Sequence, residues 1–295
     1  MRRHRFRPLL PILALVLSAT ALRSGHADAQ RWHWADIAAA ERPAHAPHAA
    51  PVTPLQVQWQ PPAYLVWVTN PLAGPAQVQV SAAASADYSA VPALPVTHVL
   101  PAGERLLLAR LYPSSSRRTL DALDVRLTVV PGDPQARPQP ALYQLPFSGI
   151  PVRVDQGFGG AFSHHDAANF YAVDFALPRG TPILAARAGV VMEVQRDFTE
   201  DNGHGEATGG GNLVRILHAD GSMAIYAHLD TVGIAVRPGQ AVRLGERLGN
   251  SGNTGFSTAP HLHFAVQRNA GLQLRALPFR MQGPQGELQF PVSLP

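Results

Sequence analysis

The sequence predicts an all-β protein of two domains, and three observations carry that reading. Short stretches in which apolar and polar residues alternate recur along the chain, divided by Pro, Gly and Asn. No long amphipathic helix appears in the C-terminal half. The chain has 295 residues, long enough for two separate hydrophobic cores.

Residues 1–29 read as an export signal. Arg2, Arg3, Arg5 and Arg7 make a basic start, residues 9–22 an apolar stretch short for a membrane span, and Ala27, Asp28 and Ala29 a small-x-small cleavage site. The expected product is exported, periplasmic or extracellular, with no stable membrane anchor after cleavage. The full chain carries a formal charge of +4, and the leader holds five Arg (the four above and Arg23) against Asp28, so the excess leaves with it. A near-neutral mature chain gives no reason to expect a nucleic-acid partner. With no Cys there is no disulfide framework and no thiolate ligand. Any zinc must then be held by His and carboxylate.

Residues 30–54, rich in Ala, Pro and His, read as a tether with a short helix around 34–41, and its His45 and His48 as solvated. Residues 55–130 show alternating strands at 55–59, 64–68, 76–80, 105–109 and 124–129, which fit a small antiparallel, Ig-like β-sandwich. No catalytic constellation falls in it, and its expected role is structural or adhesive, including contact with an envelope protein partner. Residues 131–142 form a Pro- and Gly-rich boundary. Residues 143–295 are again β-rich, with strands at 152–156, 181–185, 189–194, 212–217 and 223–228 and a tight hairpin at 218–222.

The candidate chemistry lies in this second domain. His261 and His263 sit in a strand-like run, so they share one face while Leu262 and Phe264 share the other. Asp174, between Val173 and Phe175, faces opposite to them, and a buried carboxylate there needs a positive partner, a metal or an Arg. In the run 224–228, Ala224, Tyr226 and His228 are expected on a common face, with the strand ending at Leu229 and Asp230. Gly209, Gly210 and Gly211 lead into Asn212, either to bring backbone close to a ligand or as a plain loop.

Together these segments resemble the lysostaphin-type zinc endopeptidases, the LytM or M23 family. The match runs from about residue 143 to 267: His164 and Asp174, Tyr226 to His228, and His261 to His263, in the family's order, with Gly180 to Pro182, Ala185 to Val190, Gly211-Asn212 and Ser251 to Gly255 between them. The resemblance implies a small antiparallel β-sheet domain with a groove across it, holding one Zn²⁺. By that match the metal ligands are His164, Asp174 and His263, and the catalytic histidines His228 and His261. Nine residues separate His164 from Asp174, more than the common family spacing. The first ligand is therefore open between His164 and His165, with His164 favoured because it follows Ser163 as in members that share this longer loop.

Two imidazoles and a carboxylate leave zinc's fourth tetrahedral position open, as in catalytic sites. His261 is expected to accept a proton, with His228 positioning water and stabilising the oxyanion, or the two roles exchanged. The resemblance implies an exported metalloendopeptidase acting on peptidoglycan peptides. The alternatives are a secreted protease on Gly-rich proteins and a non-catalytic module that activates other wall hydrolases.

Overall fold

The structure, a computed structural model, describes residues 53–83, 87–114, 124–198, 210–290 and 292. The leader, the tether up to residue 52 with its expected helix, and Gly209 lie outside the described residues. Among the described residues every regular element is a strand.

Seven strands build the N-terminal sandwich: β1 (Leu55–Gln60), β2 (Ala63–Thr69), β3 (Ala76–Ala82), β4 (Tyr88–Val91), β5 (Val96–Leu100), β6 (Arg105–Pro113) and β7 (Val125–Pro131). They form two sheets, β1-β2-β6-β4 and β5-β3-β7. Alternation in β3 sends Val78 and Val80 inward to meet Val66, Val68 and Leu111 in a shared core. The sequence reading missed β4 and β5. Pro92 and Pro95 break that region into pieces of four and five residues, and in β5 only Leu100 is fully buried, so no apolar period shows.

Thirteen further strands follow: β8 (Leu142–Gln144), β9 (Val154–Gln156), β10 (Val173–Ala176), β11 (Pro182–Leu184), β12 (Gly189–Gln195), β13 (Leu213–Leu217), β14 (Met223–Ala227), β15 (Ala241–Val242), β16 (Arg247–Asn250), β17 (His261–Asn269), β18 (Leu274–Leu277), β19 (Arg280–Gly283) and β20 (Gly286–Leu288). The main sheet runs β15-β12-β13-β14-β17-β10-β9, with β18 also on β17. The expected antiparallel pairing holds throughout this sheet. A small side sheet departs from it, because β8 pairs parallel with β19. The hairpin expected at 218–222 joins β13 to β14, closed by His218 N–H donating to the Ser222 carbonyl at 2.9 Å.

The strand β17 organises this half. Leu262, Phe264 and Val266 point into the larger core with Val173 and Phe175 of β10 and Tyr226 of β14. Burying each large apolar side chain contributes about 2–3 kcal/mol, which holds the strand's rotational setting. The opposite face is therefore committed to His261, His263, Ala265 and Gln267. At the Asn269 end of β17 the sandwich packs on the sheet. Leu72 and Ala76 meet Met192 and Met223, and Asn269 Nδ2 donates to the Gly132 carbonyl at 3.0 Å. That junction lies about 20 Å along the strand from His263, at about 3.3 Å per residue.

Candidate metal centre

Register brings the first two groups together. In the β10–β17 pair, Asp174 stands directly opposite His263, and Ala176 opposite His261. Directly paired residues hold their Cβ atoms about 5 Å apart on one face, and here His263 Nδ1 lies 2.9 Å from Asp174 Oδ1. The third group comes from the loop after β9. His164 is fully buried, and its Nε2 lies 3.2 Å from Asp174 Oδ2. Ligand atoms of His164, Asp174 and His263 all fall within 4.8 Å of one another. His165, the alternative first ligand, is exposed and outside this cluster.

Fixed acceptors constrain where the imidazole protons can sit. His164 Nδ1 sits 2.8 Å from the Gly157 carbonyl, which only accepts, so Nδ1 carries the hydrogen and Nε2 is bare. That buried Nε2 has no hydrogen-bond partner. His263 Nε2 sits 3.1 Å from Asn169 Oδ1. The amide cannot be reversed, because Asn169 Nδ2 donates to Asp166 Oδ2 at 2.8 Å. The neutral His263 ring thus has two competing places for one hydrogen, Nε2 toward Asn169 and Nδ1 toward Asp174, and a hydrogen on Nε2 leaves Nδ1 bare. Asp174 is oriented from behind by Gln156 Nε2, 3.1 Å from Oδ2, while Gln156 Oε1 accepts Phe162 N–H and Ser163 N–H.

With the His263 hydrogen on Nε2, the bare nitrogens of His164 and His263 and the Asp174 carboxylate face one another with no donor among them. Leaving buried polar groups in that state costs on the order of 1–3 kcal/mol each. Added protons, a move of the His263 hydrogen to Nδ1, or a cation relieves it. The electrostatics show the pull: burial opposes it, yet the Asp174 carboxylate raises the His164 pKa. Against its own burial, Asp174 is held well below the usual carboxylate range by His164 and His263. Protons and a divalent cation compete for the same lone pairs. Two imidazole nitrogens and a carboxylate oxygen form the donor set that suits zinc.

Two more histidines stand at the edge. His261 Nδ1 donates to the Ala259 carbonyl at 2.8 Å, and its Nε2 lies 3.8 Å from Asp174 Oδ1. His228 Nδ1 donates to the Thr254 carbonyl at 2.8 Å, and its ring centroid is 4.5 Å from that of His261. Both therefore present a bare Nε2 when neutral. His228 is half-buried, and burial, followed by neighbouring His261 and His263, pushes its pKa down to about 3.

The placement of His228 corrects the face expected from sequence. Tyr226 is fully buried opposite Phe264, its hydroxyl accepting Ala186 N–H at 2.8 Å. An extended residue 228 would point into the core beside it. Instead β14 ends at Ala227, and His228 takes φ 62°, which turns its ring to the face that carries His263. A non-glycine residue there carries strain of about 1–2 kcal/mol. Such strain recurs at functional sites.

Sequence reasoning did not single out Gln156 or Asn169. The Asp166…Asn169 spacing of an Asx turn was a usable signal for the second; nothing marked the first, nor the carbonyls of Gly157, Thr254 and Ala259.

Residues 168–274 match the family model described as Peptidase family M23. The matched segment contains Asp174, His228, His261 and His263 and begins after His164. The chain is 43% identical over 93 residues to peptidoglycan DD-endopeptidase ShyA of Vibrio cholerae, covering 32% of this chain and 19% of that one. It is 37% identical over 106 residues to glycyl-glycine endopeptidase ALE-1 of Staphylococcus capitis, covering 36% and 26%. Among solved structures, the catalytic domain of lysostaphin from Staphylococcus simulans is 30% identical, with 43% of this chain and 88% of that chain covered and a TM-score of 0.33. This chain spans 19% to 26% of the length of the first curated relatives it matches.

Proposed function

We propose, from the premise that this chain belongs to peptidase family M23 through its C-terminal domain, that it is an exported zinc metalloendopeptidase hydrolysing peptide bonds in the stems or cross-bridges of peptidoglycan. The observation that carries the reading is convergence. His164, Asp174 and His263 offer lone pairs to one point, and His228 and His261 bring two bare imidazole nitrogens to its edge. Support for the substrate is the naming of two relatives as a peptidoglycan DD-endopeptidase and a glycyl-glycine endopeptidase. Support for export is the leader pattern of residues 1–29.

His164 Nε2, Asp174 and His263 Nδ1 would hold zinc, which would supply Lewis-acid polarisation of a peptide carbonyl and a water pKa lowered to about 7. The chain's own groups divide the proton work. His261 accepts a proton at Nε2, and its Nδ1–H, held by the Ala259 carbonyl, keeps the ring aimed. His228, neutral with a bare Nε2, orients the attacking water as an acceptor. Contact between His228 and the oxyanion would need a proton at Nε2, a state that its burial disfavours, so His228 serves the water and not the oxyanion. The proton taken from water is finally delivered to the leaving amine as the C–N bond breaks.

The test is mass analysis of muropeptides after purified peptidoglycan is incubated with the zinc-loaded protein lacking residues 1–29. New peptide ends that vanish with chelator and return with zinc support the reading. Bound zinc with intact peptides refutes it, and an intact wall that retains the protein makes it a binding module.

A further inference from the structure

We propose that Asp166 and Asn169 are positioning residues for metal binding, acting through the imidazole of His263; this rests on the reading of His263 as a ligand. Both lie in the nine-residue segment between His164 and Asp174. That segment is a bracket folded onto the sheet. Asp166 Oδ1 accepts Ala168 N–H at 2.7 Å and Asn169 N–H at 3.1 Å, and its main-chain carbonyl accepts Phe170 N–H at 2.9 Å. The turn is fastened to two strands. Ala276 N–H of β18 donates to the Ala167 carbonyl at 2.7 Å, and Gln267 Nε2 of β17 donates to the Ala168 carbonyl at 2.8 Å. Gln267 is in turn held by the buried Arg215, whose NH1 donates to its Oε1 at 2.6 Å.

The consequence is control of a tautomer. His263 Nδ1 faces Asp174 Oδ1 at 2.9 Å, so a hydrogen on Nδ1 would make a good bond there and occupy the lone pair a metal needs. Asn169 Oδ1 offers the competing site at Nε2, and Asp166 stops the amide from turning its nitrogen toward the ring. Carboxylate, amide and imidazole form a relay that favours the tautomer with Nδ1 bare. Outer partners of this kind contribute about 10–100-fold to metal affinity.

Zinc affinity is measured by competition with a chromophoric chelator for the full-length protein, His263→Ala, Asn169→Ala, and the swap Asp166→Asn with Asn169→Asp. The swap keeps one donor and one acceptor across the contact with their ends exchanged, and leaves an acceptor at residue 169 for the His263 ring. The expected result is loss of zinc in His263→Ala, about 10–100-fold weaker binding in Asn169→Ala, and recovery in the swap, with the metal-free thermal midpoint unchanged in Asn169→Ala. Failure of the unmodified protein to bind zinc, or retention of zinc by His263→Ala, overturns the ligand reading itself. Unmodified affinity in Asn169→Ala, beside a His263→Ala that has lost zinc, overturns this proposal alone. Weak binding that comes with unfolding and is not recovered by the swap overturns it too, because the turn would then serve folding only.

Discussion

Replacing His218 tests whether burial, away from the metal centre, sets an acid limit on this fold. His218 is 2% exposed, donates Nδ1–H to the Ala188 carbonyl at 2.8 Å, and has no partner at Nε2. Burial pushes its pKa down to about 4; the Ala188 bond and Asp220 oppose the shift and Arg187 adds to it. In the unfolded chain the value returns to about 6.5. Between those values the unfolded state binds more protons than the folded one, so stability rises with pH across the window and is lost as pH falls from 6.5 toward 4. The difference of about 2.5 units corresponds to about 3 kcal/mol at about 1.4 kcal/mol per unit. That is a large part of a typical domain stability of about 5–15 kcal/mol. Asp220, held low by Ser222, Gln139 and Arg187 against its partial burial, stays charged through this range. The assay is urea unfolding of the metal-free protein and of His218→Asn at steps from pH 4.5 to 7.5. Asparagine keeps a donor for the Ala188 carbonyl but does not titrate, and the metal-centre histidines cancel in the difference. Lost packing against the Tyr143 ring, 5.5 Å away, adds an offset independent of pH. The unmodified protein should gain about 2–3 kcal/mol on the variant between pH 4.5 and 6.5. A flat difference would refute the reasoning.

Other perturbations address the centre directly. His228→Ala and His261→Ala should each lower turnover by at least about 10²–10⁴-fold while zinc stays bound, as checked by metal content beside muropeptide release; loss of metal in both would mean that the roles are misassigned. Turnover should fall below about pH 6, where protons compete with zinc for imidazole lone pairs and block the acceptor. A level profile from pH 5 to 8 with zinc retained would count against His261 as base. Chelation should lower the thermal midpoint, since a cation at a hundredfold its Kd contributes about 2.7 kcal/mol, and zinc should restore it. Gly255→Ala places a Cβ 1.6 Å from the Gly210 carbonyl oxygen at a φ of +77°. The combined strain and overpacking should cost about 2–4 kcal/mol, read as a lower thermal midpoint. Turnover should fall as well, because the adjacent Thr254 carbonyl holds His228.

What the sequence made legible followed from period two. Leu262 and Phe264 needed a core, so His261 and His263 had to share the other face, and Asp174 between Val173 and Phe175 had to join them once β10 paired with β17. Other features did not follow from periodicity. The φ of +62° at His228 reverses the face that alternation assigns, and no residue type announces it, because glycine is the usual marker and the residue is a histidine. His164 sits on a loop whose length departs from the family spacing, and the family match itself begins only at residue 168. The deeper reason lies with the protons. The tautomers of His164, His228 and His261 are set by the carbonyls of Gly157, Thr254 and Ala259. Every residue has a carbonyl, so its use as a partner leaves no trace in residue identity. Side-chain pattern could therefore name the groups that meet a metal, but which nitrogen of each ring is free to do so is a property of the backbone that surrounds them.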